Sequence, residues 1–110
     1  MKQIIISLVK SKICSKLNLK ASDLLTLTLL FNYTGNSLTI KTNLTSDRSE
    51  PLEAFTEFSE LLRSAINKRL KIEEYYLIEI NLNFATSEIE TIIYAKINNE
   101  NQKLIIKDLI

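Results

Sequence analysis

The chain contains a single glycine, Gly35, and a period-two apolar run lies on each side of it. On the N-terminal side, Leu25, Leu27, Leu29, Phe31 and Tyr33 alternate with Thr26, Thr28 and Asn32. On the C-terminal side, Leu38, Ile40, Thr42 and Leu44 alternate with Thr39, Lys41 and Asn43. Residues two apart share one face of a strand, so each run has an apolar side and a polar side. Thr34-Gly35-Asn36 between them has turn chemistry. Together these features predict a β-hairpin over 23–44.

The other segments fall around that hairpin. Residues 2–18 lack helix breakers and read as a helix with Ile6, Val9, Ile13 and Leu17 on one face and Ile4 and Leu8 on the other. The β-branched start is also compatible with a short strand. Residues 45–49 form a polar loop. Pro51 suits a first helical turn with Ser49 as its N-cap. From there to about Leu70, Leu52, Phe55, Phe58, Leu62, Ala65 and Ile66 make one apolar face. Glu74–Ala85 is a strand with Tyr76, Ile78, Ile80, Leu82 and Phe84 inward and Glu79, Asn81 and Asn83 outward. Ile89–Ile97 and Lys103–Ile110 follow as strands, after turns at Thr86-Ser87-Glu88 and at 98–102. The expected fold class is α+β, in the order α-β-β-α-β-β-β. A hairpin plus a three-strand meander forms an antiparallel β-sheet with two helices on one face. The other face is rich in Thr, Asn, Glu and Lys and suits water or a partner. At 110 residues this is one domain spanning 1–110.

Composition removes much of the usual chemistry. With no histidine, a histidine-based acid/base or triad mechanism is excluded. With no imidazole and only Cys14, so is a thiolate or imidazole metal site. One glycine cannot build a phosphate-cradling loop. Carboxylate pairs such as Glu73 with Glu74 and Glu88 with Glu90 lack the spacing of a metal loop. The expectation is therefore a binding protein and not an enzyme, with no cofactor and no metal. Cys14 reads as a buried structural cysteine.

One cysteine also excludes an internal disulfide and fits a reducing, cytoplasmic compartment. The run Ile4–Val9 is too short for a signal-peptide core, and no run is long enough to span a membrane. The bias toward Ile, Asn and Lys follows AT-rich codons and suggests a low-GC bacterium, a phage or a mobile element. Net charge is +1, but it is unevenly placed. Residues 1–22 carry Lys2, Lys10, Lys12, Lys16 and Lys20 with no acid, and the remainder is net acidic.

The most localised chemical feature is a stripe of Glu50, Glu53, Glu57 and Glu60, spaced by three and four residues opposite the apolar helix face. Arg63, Lys68, Arg69 and Lys71 gather at the far end, so the charges complement the helix dipole. The stripe has two readings: a solvated helix face, or a negative platform for a basic partner, which Asp47 would extend. Tyr33, Tyr75, Tyr76 and Tyr94 are candidate interface anchors, and Tyr75 and Tyr76 fall on opposite faces of their strand. If the stripe is only a solvated face, binding would fall to the polar sheet face around Thr26, Thr28, Glu79 and Asn81, or to the C-terminal strand edge.

In size, class and composition the chain resembles small bacterial toxin-neutralising immunity proteins, a resemblance that brings no functional residue with it. It implies a protein partner, a cognate toxin domain neutralised by direct contact. A nuclease toxin has a basic substrate cleft, which an acidic stripe would suit as a mimic of the nucleic-acid backbone. Two other readings stay open: a small nucleic-acid-associated protein using the N-terminal lysines, and a phage or secretion-apparatus subunit joined through a strand edge.

Overall fold

A computed structural model describes residues 2–70 and 74–107. Helix α1 spans Lys2–Leu17 and is followed by a 3-10 turn at Ala21–Asp23. Strands β1 (Thr26–Asn32), β2 (Ser37–Thr42) and β3 (Arg48–Pro51) come next. A 3-10 turn at Leu52–Phe55 leads into helix α2 (Thr56–Arg69). Strands β4 (Glu74–Asn83), β5 (Glu88–Ile97) and β6 (Glu100–Lys107) complete the described chain. The six strands form one sheet in the order β3-β2-β1-β4-β5-β6, antiparallel at every pairing. The expected order of helices and strands holds, with β3 added at one edge.

The period-two pattern decides which side of the sheet is buried. Leu27, Leu29 and Phe31 on β1, Leu38 and Ile40 on β2, and Ile78, Ile80 and Leu82 on β4 are buried. Ile89, Ile93 and Ala95 on β5 join the same core cluster. Both helices cover this face. Helix α1 contributes Ile5, Ile6, Val9, Ile13 and Cys14, and the α2 segment contributes Phe55, Leu62 and Ile66. Cys14 is buried with a free thiol, as its reading required.

The two long hairpins close by the same device. Asn32 Oδ1 accepts from the backbone N–H groups of Thr34 and Gly35 at 3.1 and 3.0 Å. Asn83 Oδ1 accepts from Ala85 and Thr86 at 3.0 and 3.2 Å. Such Asx turns pre-form the loop from the end of the strand. The left-handed residue that finishes each loop is Asn36 (φ 49°) or Ser87 (φ 58°). Gly35 does not have a positive φ, and a Cβ placed there would meet Asn32 only at ordinary contact distance, 3.7 Å. The only glycine therefore marks the turn without being the residue that makes it. The polar stretch after β5 shrinks to the pair Asn98-Asn99, with φ of 53° and 65°, the geometry that a two-residue hairpin turn requires.

Four expectations change. Residues 48–51 are a strand and not loop or helix: Ser49 lies opposite Thr39 and Pro51 opposite Ser37. Proline is tolerated there because β3 is an edge strand. Second, the apolar set of β1 starts at Leu27. Leu25 lies before the strand and is exposed, and Leu44 lies beyond β2 and is exposed. Third, Tyr76 does not point inward. The pairing of β4 with β5 shifts between Tyr75 and Leu77, so Tyr76 is the extra residue of a β-bulge. The bulge reverses the alternation, placing Tyr75 opposite buried Ala95 and leaving Tyr76 exposed. Fourth, the outer sheet face is not purely polar. By register, Leu30, Ile92 and Ile105 share one row with Glu79 between the first two, and Leu77 and Tyr94 lie in the next row. Ile92 is buried there outside the main core cluster. Of the expected extents, Lys71 and Asp108–Ile110 lie outside the described residues.

Among the described residues, one buried polar side-chain atom has no partner. Thr91 is fully buried on the helix-covered face, and its Oγ1 makes no hydrogen bond. An unsatisfied buried hydroxyl loses its hydration for nothing in return. Replacing Thr91 with Val keeps the branched shape and removes the polar atom, and is expected to raise stability by about 1 kcal/mol. Urea unfolding should show a higher midpoint at unchanged slope. A lower midpoint would mean that the hydroxyl is satisfied in solution.

Candidate functional site

The four glutamates of the stripe do not share one element. Glu50 lies on β3, opposite Leu38. Its carboxylate accepts a hydrogen bond from Arg48 Nε at 3.0 Å and lies 3.7 Å from Lys16 Nζ on α1. With its side chain only 15% exposed, Glu50 clips the edge strand to the first helix. It is removed from the stripe because residues 48–51 continue the sheet where a helical turn was expected. Glu53 lies in the 3-10 turn, and Glu57 and Glu60 lie on α2. All three are exposed, and among the described residues none of them is in an ion pair. Asp47 is exposed in the loop before β3, 3.6 Å from Lys41 Nζ.

Tyr75 closes one end of the core. Its ring meets Tyr33 edge-on, with centroids 5.5 Å apart. The Arg63 guanidinium lies over both rings, 4.7 Å from the Tyr33 centroid and 5.7 Å from that of Tyr75, and its Nε donates to the Tyr75 hydroxyl at 3.1 Å. The hydroxyls of Tyr33 and buried Ser59 are 3.0 Å apart. Burial pushes the Tyr33 phenol above its ordinary value, against the opposing pull of the Ser59 hydrogen bond and the Arg63 charge. Arg63 thus latches α2 to β4 and to the end of β1. Tyr75 is half-buried in this latch.

Three of the N-terminal lysines make separate contacts. Lys10 lies over the Phe84 ring at 4.9 Å, Lys12 over Phe55 at 4.6 Å, and Lys16 beside Glu50. Such positions are expected of long side chains that lay their stems on apolar surface.

Two concave regions stand out. The larger, about 570 Å³, lies at one end of the sheet and includes Thr26, Thr28, Asn81, Glu90 and Lys107. Part of its polar lining is hydrogen-bonded: Thr28 Oγ1 donates to Asn81 Oδ1 at 2.7 Å, and Asn81 Nδ2 donates to the neighbouring Glu79 Oε2 at 2.9 Å. The smaller, about 180 Å³, is an apolar furrow between α1 and the α2 segment. Val9, Phe55 and Phe58 line it together with Leu8 and Leu61, and Glu57 and Lys12 stand among its walls. The sequence reading did not single out this furrow. Its trace was the placement of Ile4 and Leu8 away from the buried face of α1. Without the position of α2, those residues had nothing to join.

The fold defines a class: a six-stranded antiparallel sheet covered on one face by two helices, with a carboxylate-flanked apolar furrow on the helical side. No helix among the described residues is long and apolar enough to cross a membrane. The chain matches no known family model, no curated protein and no solved structure.

Proposed function

We propose that this chain is a non-enzymatic protein-binding module, an immunity-type inhibitor that neutralises a basic bacterial toxin domain by direct contact. The observation that carries the reading is the set of Glu53, Glu57 and Glu60, exposed and, among the described residues, outside any ion pair, beside exposed apolar side chains on the helical face. Carboxylates held outside internal pairs keep their field available to a partner, where they speed encounter and set specificity. An apolar centre with a charged rim is the usual composition of a protein interface. The dispersal of Lys10, Lys12 and Lys16 weighs against a nucleic-acid role.

The test is co-expression with the product of the neighbouring reading frame. Relief of that product's toxicity and a stable stoichiometric complex on gel filtration are expected. Failure to form a complex, together with DNA or RNA binding that falls steeply with added salt, would replace this reading with the nucleic-acid one.

A further inference from the structure

We propose that the furrow between α1 and α2 seats a basic amphipathic helix of the partner. The proposal rests on the protein-binding reading above and specifies the element that is bound. Leu8 on one wall is 64% exposed and Leu61 on the other is 42% exposed. Ile4, one helical turn before Leu8, is 60% exposed and prolongs the strip. Val9, Phe55 and Phe58 form the rest of the lining. Two helices side by side on a sheet leave a channel with the ridge-and-groove relief that a third helix fits. Recognition of this kind inserts apolar residues spaced three and four apart from one face of the incoming helix.

The charges choose among occupants. Glu57 lines the furrow itself, Glu53 and Glu60 lie within four residues of it along the chain, and none of the three is in an ion pair among the described residues. The cation on the opposite wall, Lys12, already lies over the Phe55 ring. An incoming helix with lysine or arginine flanking its apolar stripe meets free carboxylates, whereas an acidic one meets repulsion. A second copy of this chain presents both Glu57 and Lys12 at its own furrow and lacks the uniform basic flank that the three glutamates favour.

The test uses the full chain and two helical peptides of roughly 18 residues, ~27 Å long. Both carry the same leucine stripe, one flanked by lysine and the other by glutamate. Fluorescence anisotropy should show the lysine peptide binding at least about tenfold more tightly than the glutamate peptide. Leu8→Asp and Leu61→Asp should each weaken the lysine peptide by at least about tenfold. Both sites are exposed, so melting temperatures should hold. Glu57→Lys should narrow or reverse the preference between the peptides. Amide shift changes in the unmodified chain should map to α1 and α2, an outcome that does not depend on any variant folding. Binding of the lysine peptide by both leucine variants as tightly as by the unmodified chain, or shifts confined to the sheet, would overturn the furrow while leaving a basic partner intact. Binding of neither peptide would also overturn it, and the toxin-capture experiment would then decide the wider reading separately. Concentration-dependent dimerisation abolished by Leu61→Asp would assign the furrow to a second copy and overturn the proposal.

Discussion

Replacing Phe55 with alanine is expected to destabilise the fold by about 2–5 kcal/mol, and Ile80→Ala by a similar amount. Phe55 is 1% exposed and Ile80 is fully buried, and they belong to one core cluster, Phe55 from the helical layer and Ile80 from the centre of the sheet. Close-packed interiors relax only partly around a deleted side chain, so most of the lost volume remains as cavity. Against a total stability of roughly 5–15 kcal/mol for a chain of this size, that loss is large. The melting temperature should fall by roughly 10–30 °C. Leu61→Ala on the same helical layer is the control, because an exposed substitution should stay within about 0.5 kcal/mol. Melting points near wild type for both Phe55→Ala and Ile80→Ala would show that helix and sheet do not pack through these residues.

The second large effect concerns association. If the chain binds the basic partner proposed above, reversing Glu53 and Glu57 together to lysine is expected to slow association with it by about tenfold or more at low salt and to flatten the salt dependence of the rate. Both side chains are exposed and, among the described residues, outside ion pairs, so the change alters the surface and not the core. Lysine in the first turn of α2 opposes the helix dipole by about 0.3–1 kcal/mol, so the corresponding Gln variants separate loss of charge from helix weakening. Stopped-flow association rates read the effect directly. Glu50 is the informative contrast. Because it holds Lys16 and Arg48, Glu50→Gln should lower stability by up to about 1 kcal/mol and leave the association rate nearly unchanged. If the double reversal leaves the rate untouched, the glutamates are only a solvated face.

The two effects separate the fold from its surface, and so does the comparison of sequence with structure. Period-two runs fix which side of β1, β2 and β4 is buried, because neighbouring side chains on a strand must point to opposite faces. The helical apolar face of residues 55–66 was legible for the same kind of reason: Phe55, Leu62 and Ile66 are all buried. Spacing read from Pro51 onward also put Glu50 on that helix. The structure puts it on a strand, because the backbone groups of 48–51 find partners on β2, and local propensity does not anticipate a ladder made with a distant segment.

The same limit governs the candidate site. That Glu53, Glu57 and Glu60 face away from the core follows from their spacing against Phe55, Leu62 and Ile66, which the sequence alone supplies. Whether a carboxylate is free or consumed depends on which cation the fold brings beside it, and Glu50 beside Lys16 is separated from it by 34 positions. The inward turn of Tyr75 required a bulge, a single extra residue in a ladder that no periodicity within β4 records. The furrow required two helices far apart in sequence to lie side by side, so that Leu8 and Leu61 became one surface. Sequence by itself determined which faces are apolar, since that is a property of spacing along the chain. Only the tertiary structure decided which charges stay unpaired and which exposed apolar side chains adjoin, since those depend on distances between segments that the chain order leaves open.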